Sequence, residues 1–237
     1  MLEIKNLVKM YGNFKALNEV SITINDGEIF GFIGPNGAGK TTTIKSVVGL
    51  IEFEGGEILL DGMDVKKNRL EAKQKIAYIP DNPEIYDNLT GIQYLNFIGD
   101  ICNIDKEKRL KDISKYANMF DITNNLGDMI SSYSHGMKQK ISLISAFIRH
   151  PKLLILDEPF VGLDPKASFD VKELMKEMCK EGSSVFFSTH VLEVAEKLCD
   201  RVAIISKGNI VSSGTIEEVK GDSSLEEVFL EIASREN

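Results

Sequence analysis

The sequence predicts an α/β protein whose sheet core is interrupted by a helical subdomain. Three observations predict it. Short apolar runs rich in β-branched residues occur before Ile33 and again after Pro151. Between them, from Pro80 onward, apolar residues recur at three-residue steps, the period of a helix. A glycine-rich string beginning at Gly34 joins an apolar run to a helical stretch.

Taken in order, Leu2 and Ile4 alternate with charge, Ser21-Ile22-Thr23-Ile24 is β-branched, and Glu28 to Ile33 runs apolar into glycine, so strands are expected at all three. A helix is expected from Lys40 to Leu50, then a turn at Glu54-Gly55-Gly56, a strand from Glu57 to Leu60 closed by Asp61-Gly62, and another from Ile76 to Ile79. Thr90 and Gln93 form a capping box ahead of Ile92, Leu95, Ile98 and Ile101. Leu110, Ile113, Ala117 and Phe120 continue the helical period, and a further helix runs from about Ser134 to Ile148. Strands at Leu153 to Leu156, Val185 to Ser188 and Val202 to Ile205 alternate with helices Pro165 to Lys180 and Val191 to Leu198. Ser224 and Glu227 make another capping box, with Leu225, Val228, Phe229 and Ile232 on one helix face. The expected organisation is one domain, its core formed by residues 1–81 and 151–237 and its helical subdomain by about 82–150.

Composition narrows the function. With 43% hydrophobic and 27% charged residues the 237-residue chain has a globular balance. A net charge of −8 argues against nucleic acid as a partner, since phosphate binding needs a basic surface. No apolar run approaches the roughly 20 residues of a membrane-spanning helix, and Met1 to Tyr11 lacks the features of a secretory signal, so a cytoplasmic location is expected. Cys102, Cys179 and Cys199 have no paired short spacing, which speaks against a disulfide framework or a zinc knuckle.

Two strings carry chemistry. Gly34-Pro35-Asn36-Gly37-Ala38-Gly39-Lys40-Thr41 fits G-x-x-x-x-G-K-[ST] between a strand and a helix. Its glycines let successive N–H groups point at phosphate oxygens, the helix N-terminus adds partial positive charge, Lys40 reaches the outer phosphates, and the Thr41 hydroxyl suits Mg²⁺. A glycine-rich turn without a ligand is the alternative. Leu153 to Leu156 ends in Asp157-Glu158, at the sheet edge where α/β proteins bind ligands. Asp157 can hold Mg²⁺ and Glu158 can orient or deprotonate a water attacking the γ-phosphate, against the alternative of a solvated acidic loop.

On these strings the chain resembles the ATP-binding subunits of ATP-binding-cassette (ABC) transporters, over nearly its whole length. The resemblance implies a P-loop ATPase core with an N-terminal β subdomain and a helical insert, ATP and Mg²⁺ as ligands, and Thr42 beside Thr41 in the nucleotide site. Tyr11 stands where the family has an aromatic that stacks on adenine, although an exposed aromatic at a strand end also packs. Tyr133-Ser134-His135-Gly136-Met137-Lys138-Gln139-Lys140 is similar to the family signature, in which Ser134 and Gly136 would contact the γ-phosphate held by a second subunit; His135 and Met137 depart from it, and a plain capped helix fits too. Gly162-Leu163-Asp164 resembles the loop that couples two sites across a dimer, implying an ATP contact in trans for Asp164, which also reads as an N-cap before Pro165. His190 matches the family's switch histidine, or a polar helix cap. His150 is expected to do no more than end a helix. Asp81 stands where the family carries a glutamine that ligates Mg²⁺, against the alternative of an Asx turn before Pro83.

The family pairs two such subunits around ATP and couples them to an integral-membrane permease, so this chain is expected at the inner face of the cell membrane. Ser224-Leu225-Glu226-Glu227-Val228-Phe229-Leu230 and the stretch from Ser188 to Glu196 look like those of multidrug or antibiotic exporters. The alternatives are a soluble cassette, as in iron–sulfur assembly, and a regulator without turnover, which would need Glu158 to be absent. A GTPase is weaker still, for no Asn-Lys-x-Asp string occurs.

Overall fold

A computed structural model describes residues 1–235, with side chains through Glu231. Two sheets organise it. Strands β1 (Leu2–Tyr11), β2 (Phe14–Ile24), β4 (Gly55–Leu60) and β5 (Met63–Asp64) form an antiparallel sheet in the order β2-β1-β4-β5. Strands β3 (Ile29–Ile33), β6 (Ile76–Ile79), β7 (Leu153–Asp157), β8 (Ser184–Thr189), β9 (Arg201–Ser206) and β10 (Asn209–Thr215) form the second, in the order β10-β9-β3-β8-β7-β6, parallel except for the β9-β10 pair.

Continuous burial of β3 and β7 explains why they read as unbroken apolar runs: both faces of the second sheet are covered. Alternation survives inside the runs. Leu154, Leu156, Val185 and Phe187 pack on the side of the helices, whereas Leu153, Ile155, Phe186, Phe30 and Phe32 pack toward the antiparallel sheet. Gly31 in β3 is required by close approach, because a Cβ there would lie 2.6 Å from Cys199 Sγ.

Between β6 and β7 the chain is helical: α3 (Gly91–Ile101), α4 (Lys106–Met119) and α5 (His135–Phe147). The Thr90–Gln93 capping box forms in both directions, and the Asp105 carboxylate accepts hydrogen bonds at the start of α4. These helices share one core with the sheet, since Leu95, Ile113, Phe120, Ile144 and Phe147 belong to the same cluster as Leu154 and Phe187. Tyr116 and Phe120 flank Phe147, with ring centroids 5.6 and 6.3 Å away. Burial pushes the Tyr116 phenol up to about 12.

Several elements differ from expectation. Helix α1 (Lys40–Val47) stops short of Leu50, where Gly49 takes a left-handed φ of 71°. Gly55 and Gly56 open β4 instead of making a turn: Gly56 lies so near the Asn6 and Lys5 carbonyls that a Cβ would stand 2.4 Å from each. Helix α2 (Arg69–Lys75), β5, β10 and helix α8 (Ile216–Lys220) have short or polar sequences that periodicity passes over. Ile101 and Leu110 are exposed, at the last turn of α3 and the second turn of α4. His150 does more than end a helix, for its Nε2 lies 2.7 Å from Asp112 Oδ2 on α4. Helices α6 (Pro165–Lys180) and α7 (Leu192–Leu198) fall where expected, as does α9 (Leu225–Arg235) behind its Ser224–Glu227 box. Leu225, Val228 and Phe229 pack together, and the Ile232 side chain lies outside the described residues.

Because helices and sheet share this core, Phe147→Ala should cost about 3–5 kcal/mol and lower the whole unfolding transition. Thermal melts followed by circular dichroism and by near-ultraviolet signal should shift together; separate helical and sheet transitions would contradict a common core.

Candidate nucleotide site

Strands β7, β8 and β3 are neighbours, so the ends of three parallel strands deliver the chemistry to one edge. After β3 the chain makes the glycine loop that opens α1. Gly37 and Gly39 have φ of 81° and 116°, a region that glycine enters without strain, and a Cβ on Gly34 would stand 2.4 Å from the Ile205 carbonyl. Lys40 is buried, its Nζ donating to Gly34 O at 2.7 Å and Pro35 O at 3.3 Å.

Asp157 ends β7 and is almost wholly buried. Thr41 Oγ1 donates to its Oδ2 at 2.7 Å and Ser188 Oγ to its Oδ1 at 2.5 Å, so one carboxylate ties α1, β7 and β8 together. Ser188 also accepts from the Glu158 N–H at 3.1 Å. Glu158 sits at φ 49°, a left-handed conformation rare outside glycine, which turns its side chain back toward the loop. Its Oε1 lies 3.6 Å from Lys40 Nζ and 3.0 Å from His190 Nδ1, yet is buried and accepts no well-aligned hydrogen bond.

A cleft of about 240 Å³ collects Tyr11, Pro35, Asn36, Gly37, Gly39, Lys40, Thr41, Thr42, Asp81, Asp157 and Glu158. Gly34 and Ala38 support the loop from behind, and His190 stands beside Glu158. Phe14 and Ala16 also line the cleft. Neither carried a sequence signal, and neither did the hydroxyl of Ser188, although the turn pairing Tyr11 with Phe14 is short enough to imply a shared face.

Asp81 lines the cleft, and its carboxylate makes no hydrogen bond or ion pair among the described residues. On β6, the Tyr78 hydroxyl is buried and unpartnered, and burial, with Asp157 and Asp81 nearby, pushes the phenol above its ordinary value.

Ser134, Gly136 and Asp164 gather elsewhere. Ser134 caps α5 by accepting from Met137 N–H at 3.3 Å, and Gly136 meets the Gly162 carbonyl so closely that a Cβ would stand 2.7 Å from it. Asp164 caps α6 through Ala167 N–H at 2.8 Å and pairs with Lys140 of α5 at 2.8 Å. The Lys140 ammonium, then the capping bond, hold this exposed carboxyl below the usual carboxylate range. None of the three lines the cleft.

The donors fit a phosphate chain carrying a hard cation. A glycine cradle, a buried lysine bonded only to loop carbonyls and near one carboxylate, and an orphaned carboxylate oxygen all await a partner. No group of three or more His, Cys, Asp or Glu side chains suited to a metal stands among the described residues, so a cation here would draw oxygens from Thr41, a carboxylate and the phosphates themselves. Such a fold and site define a P-loop nucleoside triphosphatase.

Comparison places it more narrowly. A profile of the ABC transporter family matches residues 17–161. Two relatives from Bacillus subtilis are the uncharacterized ABC transporter ATP-binding protein YhcH, 38% identical over 92% of this chain and 71% of its own, and the ABC-type transporter ATP-binding protein EcsA, 34% identical over 100% and 98%. A solved ATP binding subunit of an ABC transporter superposes with a TM-score of 0.94 at 32% identity, covering 98% of this chain and 99% of that one. The ATP-binding cassette MJ0796, solved as a dimer in a post-hydrolysis state with ADP and Pi, shares the fold at a TM-score of 0.83 and 22% identity, over 91% and 98%. The chain belongs to the ABC transporter family, as an ATP-binding subunit and an ATPase. No described helix is long and apolar enough to cross a membrane.

Lys40→Ala should weaken ATP binding by about 10- to 100-fold, the worth of a charge-assisted hydrogen bond in a site otherwise made of backbone dipoles. A titration with a fluorescent ATP analogue measures it, and unchanged affinity would place the nucleotide elsewhere.

Proposed function

We propose that this subunit hydrolyses Mg²⁺-ATP at the cleft between β3, β7 and β8 to drive a separate integral-membrane permease, working at the cytoplasmic face of the membrane and in the direction of export. The observation that carries the catalytic reading is the Glu158 carboxylate beside Lys40 and His190, whose Oε1 is buried and accepts no hydrogen bond. In this reading Lys40 leaves the carbonyls of Gly34 and Pro35 for the outer phosphates, and Asn36, Gly37, Gly39 and Thr42 line the phosphate path. Glu158 accepts a hydrogen bond, or the proton, from the attacking water, and His190, its Nδ1 3.0 Å from Glu158 Oε1, contacts the γ-phosphate. Thr41, Asp157 and Asp81 supply oxygen ligands to Mg²⁺, which when bound neutralises phosphate charge. Tyr11 receives the adenine.

Ser134, Gly136 and Asp164 lie outside the cleft of their own chain, which supports a role in trans: in a dimer the α5 N-terminus would meet the γ-phosphate held by the other subunit. The permease contact is assigned to an apolar groove of about 750 Å³ bordered by Leu50, Leu70 and Ile101, exposed at 59%, 82% and 60%. In this reading residues of about 82–150 act as the helical subdomain that carries α3, α4 and α5. Export rests on the resemblance of the stretches Ser188 to Glu196 and Ser224 to Leu230 to exporter subunits.

Glu158→Gln keeps the shape while removing the basic oxygen, so it should bind ATP normally and lose at least about a hundredfold in turnover. ATPase rates with size-exclusion chromatography in MgATP test both roles; wild-type turnover from a monomer would sink them together. Asp81→Ala should raise the Mg²⁺ concentration for half-maximal ATPase, whereas Asp81→Gln should stay near wild type. A Mg²⁺ requirement untouched by Asp81→Ala, with lower thermal stability, would return Asp81 to a turn-forming role.

A further inference from the structure

Helix α5 sends one amide into the core. Gln139, in the second turn, is wholly buried, and Ile141, Leu143 and Ile144 after it are equally closed to solvent. Its Nε2 donates to the Pro159 carbonyl at 3.4 Å, and because a carbonyl only accepts, this contact fixes which end of the amide faces that segment. The other end is left over. Gln139 Oε1 is buried without a partner, and so is Ser142 Oγ, three residues along and on the same face of the helix. A single neutral hydrogen bond does not offset the desolvation of an unpaired carbonyl oxygen, so an apolar side chain of equal length would hold the fold as well.

What the amide does hold is Pro159. That residue follows Glu158, whose φ of 49° is a conformation that a residue with a Cβ keeps only under constraint, and a following proline itself drives its neighbour toward extended backbone. Ser188 Oγ accepts the Glu158 N–H at 3.1 Å on one side of the bend, and Gln139 engages the Pro159 carbonyl on the other. We propose that Gln139 is a positioning residue for Glu158: its amide clamps the bend that brings the carboxylate to Lys40 and His190, and it does so from the helix whose first residues include Gly136. The proposal rests on the reading of Glu158 as the group that engages the attacking water. Gln139 does not line the nucleotide cleft, so its loss should reach turnover through Glu158 and leave ATP binding alone.

Gln139→Met keeps the length of the side chain and removes the donor. Turnover at saturating MgATP should fall about tenfold, the worth of one hydrogen bond, with the ATP KM within about twofold of wild type and the melting temperature equal or higher. Gln139→Asn, which keeps the amide but withdraws it by one methylene, should lose turnover likewise, whereas Ser142→Ala should turn over as wild type. A residue that acts through Glu158 has nothing to act on once that carboxylate is gone, so adding Gln139→Met to Glu158→Gln should change the residual rate by less than about twofold. Wild-type turnover in both Gln139 variants overturns the proposal. So does the same fold-loss on the Glu158→Gln background, a comparable loss from Ser142→Ala, or a melting temperature lowered in step with turnover. Wild-type turnover in Glu158→Gln by itself would instead overturn the catalytic reading on which the proposal stands.

Discussion

The buried carboxylate of Asp157 is the constraint around which the site is built. A charge this deep persists only when hydrogen-bonded, and here both oxygens are engaged, one by Thr41 and one by Ser188. Those two hydroxyls come from the first turn of α1 and the penultimate residue of β8, so satisfying one side chain fixes the glycine loop against two strand ends. Sheet order makes this possible. Had β8 not stood between β3 and β7, the Ser188 hydroxyl could not face Asp157 in register. Placement of the phosphate cradle beside the acidic pair is thus a consequence of topology before it is one of chemistry.

One residue further on, the backbone leaves the regular range. Glu158 adopts a left-handed φ, a conformation costing of order 1–3 kcal/mol for a residue with a Cβ, and the Ser188 hydroxyl accepts its N–H. The same serine therefore steadies both acids, one through its proton and one through its lone pair. Bending the chain there brings Glu158 back over Lys40, where a regular strand would have pointed its side chain to the opposite face from Asp157. The orphaned oxygen is the cost of that arrangement: it is held beside the Lys40 ammonium and left without an aligned donor.

How far this could be read from sequence depends on the kind of signal each residue leaves. Gly34 to Thr41 was legible because the glycines, lysine and threonine have fixed spacing and a fixed strand-to-helix context. The buried strands were legible as runs, since double-sided burial erases polar positions in β3 and β7. Elements stabilised by neighbours left no such trace: α2 buries only Ala72, and β10 is an edge strand with alternating exposure. Phe14 and Ser188 were illegible for a different reason. Their importance lies in cross-strand pairs, Tyr11 with Phe14 and Asp157 with Ser188, and the second of these joins positions 31 residues apart. His150 illustrates the same gap, for a helix-end residue became a tie to α4 only once Asp112 was placed opposite.

The segment from Glu158 to Asp164 joins the two clusters of site residues, and its contacts show how tightly. Its first residue is pinned by Ser188, the Val161 N–H donates back to Glu158 O at 3.3 Å, and Gln139 of α5 donates to Pro159 O at 3.4 Å. Gly162 is wedged against Gly136 and His135, with φ 79° and no room for a Cβ, since the His135 ring would lie 2.6 Å away. Asp164 closes the segment by capping α6 and binding Lys140. Seven residues held at both ends and in the middle have little freedom to absorb a displacement locally. If a second subunit's phosphates engage Ser134 and Gly136, as the dimer reading requires, the contact reaches α5 at the turn on which Gly162 rests. The Glu158 carboxylate then lies one short, braced loop away from the turn that carries Ser134 and Gly136. Hydrolysis in one cleft and occupancy of the other would be linked through covalent chain, with no need for a longer route across the helical insert.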